Sequence, residues 1–312
     1  MRDAAEKLLA GNLVAFPTET VYGLGADATN SEAVARIYSV KDRPVDHPLI
    51  VHISSLHRLG DWAEEIPEYA ISLARDFWPG PMTLVLRRSA IAQDFITGGQ
   101  DTVGVRVPDH VVALALLEAF EDLGGKGVAA PSANRFGQVS PTTAGAVAEE
   151  IGEYLNSADQ IIDGGSCAVG VESTIIDCTG DAPRILRPGA ISVSMIESST
   201  GIQVIDVRGN LIRVSGSLET HYAPVAKLLL CETPIPGQGF IALASIQTPP
   251  GVIRLASPEN DEEFAHVLYS ALRLADSQSL TEVVVMQPIG TGIAVAIRDR
   301  LRRASNVHYR TN

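Results

Sequence analysis

The chain has 312 residues, 46% of them hydrophobic and 20% charged, enough for about two domains with cores of their own. Lys and Arg number 24 against 37 Asp and Glu, a formal net charge of −13. Broad nucleic-acid binding is disfavoured by that sign, because phosphate neutralisation supplies most of such affinity. The apolar fraction excludes a disordered chain. Cys167, Cys178 and Cys231 are too few and too scattered for a disulfide framework or a zinc cluster, and they suit a reducing cytoplasm. The N-terminus carries acids where a secretion signal needs bases. The longest uncharged stretch, residues 233–253, holds four prolines and three glycines and is unfit to span a membrane.

Residues 4–10 read as a helix capped by Asp3 and stopped by Gly11, followed by a strand at 13–16. A second helix is expected over 31–40, a strand over 49–53 and a helix over 67–77 with proline in its first turn. Strands at 82–87 and 102–107 precede an apolar helix that Asp109 caps and Gly124-Gly125 ends. After a strand near 128–130, Ser140-Pro141 opens a helix to about residue 151. Strands follow at 161–162, 174–177 and 184–186. Helices and strands mix without strict alternation, which points to a mixed α/β (α+β) domain. The pattern weakens over 198–224, and residues 215–224 read as a linker. Strands at 227–230, 240–244, 252–255 and 283–286 then alternate with helices at 261–276 and 292–304. Their apolar runs imply a smaller parallel, three-layer α/β domain.

Gly23-Leu24-Gly25-Ala26-Asp27-Ala28 fits a dinucleotide fingerprint in letters but not in context, since no strand leads directly through it into a helix. No Walker A loop, nucleophile elbow or zinc-protease helix is present. A set of polar loops, each after a strand, carries more. Pro17 to Gly25 offers two hydroxyls and a tyrosine beside glycines. Lys41 and Arg43 set two cations on a proline-stiffened segment that suits a polyphosphate, although a solvated surface loop looks similar. His52 lies in an apolar strand, where a core histidine is the ordinary reading. Arg106, also within an apolar strand, must meet a carboxylate or phosphate, and an internal salt bridge would serve. Ala130-Pro131-Ser132-Ala133-Asn134 with Ser140 supplies hydroxyls before a helix N-terminus. Gly170-Val171-Glu172-Ser173-Thr174 and Arg187-Pro188-Gly189 complete the set.

Together these stretches, with Trp78-Pro79-Gly80-Pro81 and Pro48 to His52, closely resemble the YrdC-like domain of the threonylcarbamoyl-AMP synthases, in the family's order over most of residues 1–200. His221-Tyr222-Ala223-Pro224 and the small domain after it resemble the long, two-domain form. The stretch before them, Gly216-Ser217-Leu218-Glu219-Thr220, lacks the lysines that long forms often carry there. The resemblance implies a mixed twisted-sheet domain with a concave cavity over 1–200, a linker or lid over 201–225 and a Rossmann-like α/β domain over 226–312.

It further implies an L-threonylcarbamoyladenylate synthase. L-threonine, bicarbonate or CO₂ and ATP would give threonylcarbamoyl-AMP and pyrophosphate, for N6-threonylcarbamoyladenosine beside the tRNA anticodon. Carried over by motif, Lys41 and Arg43 would be catalytic. Thr20, His52, Arg106, Ala130 and Ser173 would hold threonine, with Arg106 on its carboxylate. Arg43, His47, Thr102, Ser132, Asn134, Ser140, Arg187 and Tyr222 would bind ATP, with Mg2+ on the triphosphate and no separate metal site. His47 stands where relatives can carry Asn. The implied partners are tRNA-modification proteins that receive the intermediate, with no membrane and no tight direct nucleic-acid contact. Two alternatives stay open: a non-catalytic RNA-binding module, opposed by the acidic charge, and carbamoyl transfer of the hydrogenase-maturation type, which wants accessory segments this chain lacks.

Overall fold

The structure, a computed structural model, describes residues 1–205, 212–214, 216, 222–230 and 232–305. Much of the linker, His221 included, and Cys231 lie outside the described residues. Among the described residues, the first sheet is built from β1 (Val14–Phe16), β2 (Gly23–Asp27), β3 (Ile50–His52), β4 (Ala63–Glu64), β5 (Met82–Arg88), β6 (Thr102–Arg106), β7 (Val128–Ala129), β8 (Gln160–Ile161), β9 (Thr174–Asp177) and β10 (Arg184–Arg187). Their order is β10-β9-β5-β6-β3-β7-β2-β1-β8, with β4 on β5. Parallel pairs such as β3–β6 and β5–β9 sit beside antiparallel ones such as β1–β2 and β5–β6. The mixed sheet is the one expected from non-alternating elements.

Helices cover the sheet where the 3.6-residue pattern places them. Ser31–Lys41 is capped by Asn30, whose side chain accepts from the amides of Glu32 and Ala33. It buries Val34, Ile37 and Tyr38 in a core that also holds Trp62, Leu73 and Leu84. Four caps differ from expectation. The first helix is Arg2–Leu9 with Met1 at the cap position, so Asp3 falls in the first turn, where its charge meets the helix dipole. His110, not Asp109, caps Val111–Asp122: its Nδ1 accepts from the Val112 amide at 3.2 Å, while the Asp109 amide turns to Glu19. The helix after Ser140 begins only at Ala144, capped by Thr143, because the Ser140 hydroxyl is engaged elsewhere. Pro67 occupies the cap position of Glu68–Phe77, not its first turn. A helix at Val193–Thr200, not expected from the sequence, runs into the start of the weakly patterned stretch.

The second sheet contains β11 (Lys227–Leu230), β12 (Gly239–Ile241), β13 (Ile253–Ala256) and β14 (Glu282–Val285), all parallel in the order β11-β14-β12-β13. Leu228, Ile241, Val283 and Val285 face the helices Asp261–Ser277 and Ile293–Ser305, which share one core with them. Leu229, Phe240 and Val284 point the other way, under Ile246, Val252 and Met286. The expected third layer is therefore made of loop residues among the described residues. The connections from β11 to β13 are too short to carry crossover helices.

The second unit docks on the loops of the first. Gly170 has a φ of +81°, and a Cβ there would run into Ala265 O and the backbone of His266. Arg273 donates to Glu150 at 3.0 Å and also to Val139 O.

Candidate active site

Strand ends and the loops between them converge on one cavity with about 560 Å³ of empty space, its open mouth included. Its floor comes from the β1–β2 loop. Thr18 Oγ1 donates to Val21 O at 2.6 Å and lies 2.9 Å from Thr20 Oγ1, so both hydroxyls are ordered by their own turn. Gly25 is required close by: a Cβ there would lie 2.8 Å from Phe16 and from Val128 side-chain atoms.

Four cations border this space. Lys41 ends its helix fully buried, its Nζ donating to the carbonyls of Ser132 and Asn134. Burial, with Arg43 beside it, pushes the Lys41 ammonium well below the ordinary lysine range. The turn to Arg43 passes through Asp42 at a φ of +53°. Arg43 Nη2 donates to Pro48 O at 3.0 Å, and its guanidinium lies 5.8 Å from the Phe136 ring centre. Burial lowers it to about 10, which leaves it charged at neutral pH.

Arg106 lies next to His52 in the parallel β3–β6 register. Its Nη2 donates to Glu19 Oε1 at 2.6 Å, while its buried Nε has no hydrogen-bond partner. His52 is neutral: burial, with Arg106 next, pushes its imidazolium down to about 3. The fourth cation, Arg187, donates through Nε and Nη2 to Ser173 O and through Nη2 to Ser173 Oγ, at 3.0–3.1 Å. Thr83 Oγ1 holds the same serine hydroxyl at 2.8 Å.

Thr20, Lys41, Arg43, His52 and Arg106 thus share the cavity with Ala130, Ser132, Ser173, Arg187 and Tyr222. The other four expected positions do not line it. Thr102 borders an adjoining smaller pocket that shares Ile50 and also takes in Pro48, Gln100 and Arg213. Asn134 lies beneath the wall, its side-chain amide donating to Arg135 O and Gln138 O, because the loop needs it to close. Ser140 Oγ donates to Glu172 Oε1 at 2.6 Å, behind the wall. His47 stands edge-on to Phe136, on the Arg43 side.

Sequence reasoning passed over both buried glutamates. Glu19 is the carboxylate that Arg106 needs. Glu172 sits between the two units, accepting from Arg300 Nε at 2.7 Å and from Tyr269 Oη at 3.0–3.1 Å. Both lie inside the quoted motifs, so asking what neutralises each buried arginine would have found Glu19. Tyr222, with a φ of +64°, stacks on Tyr269 at 5.9 Å between ring centres.

This is an α/β protein with a cleft lined by hydroxyls and buried cations, fitted to small anionic substrates. Residues 6–189 match the Sua5/YciO/YrdC family model, described as "Telomere recombination", and residues 191–306 match the threonylcarbamoyl-AMP synthase C-terminal domain. The threonylcarbamoyl-AMP synthase of Pyrococcus abyssi is 42% identical, over 98% of this chain and 94% of its own length. That of Bacillus subtilis is 38% identical, over 97% and 92%. The crystal structure of P. abyssi Sua5 complexed with L-threonine superposes with a TM-score of 0.87 at 40% identity, covering 98% of this chain and 94% of that one. The chain belongs to the threonylcarbamoyl-AMP synthase family, enzymes of the nucleotidyltransferase type, and carries both of that family's domains. Among the described residues no helix is long and apolar enough to cross a membrane.

Proposed function

We propose that the cavity binds L-threonine, bicarbonate or CO₂ and ATP together and forms threonylcarbamoyl-AMP with release of pyrophosphate. The threonine amine takes up the one-carbon unit as a carbamate. A carbamate oxygen then attacks the α-phosphorus, and pyrophosphate leaves. The substrate supplies the nucleophile, so the protein must position three partners, exclude water and offset charge.

The observation that carries the reading is Arg106. It is anchored by Glu19 through one nitrogen and holds a second, unpartnered donor in a buried wall beside Thr20 and Ser173. A substrate carboxylate is the group such a fork takes. In this reading Thr20, His52, Ala130 and Ser173 frame the rest of threonine, and neutral His52 adds no charge to compete for the carboxylate. Lys41, Arg43 and Arg187 face the phosphates across the cavity. Ser132, Tyr222 and the pocket at Thr102 take the remainder of the nucleotide. Asn134 and Ser140 act from behind, through Lys41 and Glu172. His47 flanks Arg43 through Phe136.

Mg2+ enters as the counter-ion of the triphosphate. Glu19 and Glu172 are both engaged by arginines, and no cluster of three or more metal-binding side chains occurs among the described residues. With both glutamates so engaged, no side chain is assigned to the ion. The linker, through Tyr222, acts as a lid that retains the labile product. Proteins that modify tRNA beside the anticodon receive it. A cytoplasmic location fits the described cysteines, Cys167 and Cys178, which are unpaired and buried.

Calorimetric titration tests the threonine assignment. L-threonine should bind the protein more tightly than serine or valine, and Arg106→Gln should abolish binding while leaving ATP affinity within about twofold. Equal binding of valine, which lacks the hydroxyl, would remove threonine from this reading.

A further inference from the structure

The second unit meets the cavity through a buried charge cluster centred on Glu172, which itself borders the cavity. Arg300, on the helix Ile293–Ser305, is 1% exposed although it sits in an arginine-rich stretch. Its Nε donates to Glu172 Oε2 at 2.7 Å, and its Nη2 to Pro188 O at 3.0 Å and Glu172 O at 3.3 Å. Nη1 donates to Asp299 at 2.8 Å. Tyr269, from the other helix of the second unit, donates to the Glu172 carboxylate as well.

Glu172 is thus held by two helices of the second unit and by Ser140 of the first. Its chain neighbour is Ser173, the group to which Arg187 donates. Arg187 and Glu172 both border the cavity, yet Arg187 turns its Nε and Nη2 to Ser173. A buried carboxylate is costly unless it is paired, and Arg300 and Arg187 both favour its charged form.

We propose that Arg300 is a positioning residue for the nucleotide site: it occupies the Glu172 carboxylate and so leaves Arg187 turned toward the cavity. This rests on the reading of the cavity as an ATP site. The second unit then works in the reaction without touching substrate. Its helices pack on the wall loop at Gly170 and set His266 Nδ1 3.2 Å from Ala168 O, and they take up a carboxylate that would otherwise draw Arg187 from the phosphates. Burial alone would raise the Glu172 carboxyl, but Arg300 and Arg187 outweigh it and hold it below the usual range, so it is ionised and demands a cation at neutral pH.

The experiment measures ATP affinity by calorimetry on the full-length chain, which a purely structural role does not move while the protein stays folded. Arg300→Met should weaken ATP about tenfold and Arg300→Lys much less. Glu172→Gln/Arg300→Met should recover most of the loss, since a neutral amide no longer draws Arg187. In an Arg187→Met background, Arg300→Met should add nothing, because it acts through Arg187. If Arg300→Met does not fold, Arg300→Gln, which keeps donors to Glu172 but removes the charge, carries the same test with a smaller loss, about threefold. Wild-type ATP affinity in folded Arg300→Met, or additive losses with Arg187→Met, would overturn the proposal. A wild-type protein that binds no ATP would overturn the cavity reading and this inference together. ATP binding without threonine-dependent pyrophosphate release would count against the cavity reading alone.

Discussion

Arg106 and Glu19 form an ion pair in the wall of the cavity, Nη2 to Oε1 at 2.6 Å, with both side chains buried. The pair links the β1–β2 loop to β6. Glu19 Oε2 also accepts from the Asp109 amide at 3.0 Å, which closes the turn after β6. The carboxylate that fixes the arginine is therefore itself fixed by backbone, and the guanidinium presents one orientation to a ligand.

Glu19→Ala leaves a buried guanidinium without its partner. We expect a stability loss of about 3–5 kcal/mol by chemical denaturation, the scale of a broken buried pair, and a marked loss of threonine affinity. Glu19→Gln keeps an acceptor and should retain part of both. A stability loss within 0.5 kcal/mol for Glu19→Ala, the range of an ordinary surface change, would contradict the role given to the pair.

His52 makes stability depend on pH. Burial and Arg106 push its folded-state value down to about 3 from 6.5. Between those values the unfolded chain binds a proton that the folded chain does not, so stability is complete above the unfolded value and is lost as pH falls toward the folded one. The full swing is on the order of 5 kcal/mol. Denaturation midpoints at about pH 7 and about pH 5 should fall for the wild type and change less for His52→Asn. Equal pH dependence in the two proteins would show that another group carries the slope.

Gly189 is packed against backbone. A Cβ there would collide with Thr174 N and come within 2.7 Å of Ser173 C. The Thr174 amide is committed to Pro81 O at 2.9 Å and resists displacement. Gly189→Ala should cost about 1–3 kcal/mol by overpacking and reduce turnover, because Ser173 moves with its neighbour. Gly180→Ala, with nothing near its Cβ, should stay within about 0.5 kcal/mol of wild type. Matching effects from the two substitutions would contradict the contact.

Much of this was legible in the sequence, for physical reasons. The strands of the second unit lie within three residues of expectation because buried parallel strands read as unbroken apolar runs bounded by glycine and proline. The cavity loops were legible because close backbone approach and buried cations leave glycines, hydroxyls and arginines at fixed positions. Caps were less so. Asp109 and Ser140 are good capping residues by type, but Glu19 takes the Asp109 amide and Glu172 the Ser140 hydroxyl, partners about 90 and 30 residues away in the chain. Arg300 was hidden for the same reason. Arg298, Arg300, Arg302 and Arg303 share one helix, and only the docking of that helix on Glu172, 128 residues away, makes Arg300 the buried one. Periodicity places a residue on a helix, but a charge partner so distant leaves no local mark.

The most direct measurement is pyrophosphate release from ATP and Mg2+ by the full-length protein, with threonine and bicarbonate each added or withheld. The account predicts release that requires both. It further predicts that Arg43→Ala, which removes a buried cation from the phosphate side, lowers kcat/KM by about two orders of magnitude. Pyrophosphate release indifferent to threonine, or none from folded protein with all three substrates present, would contradict it.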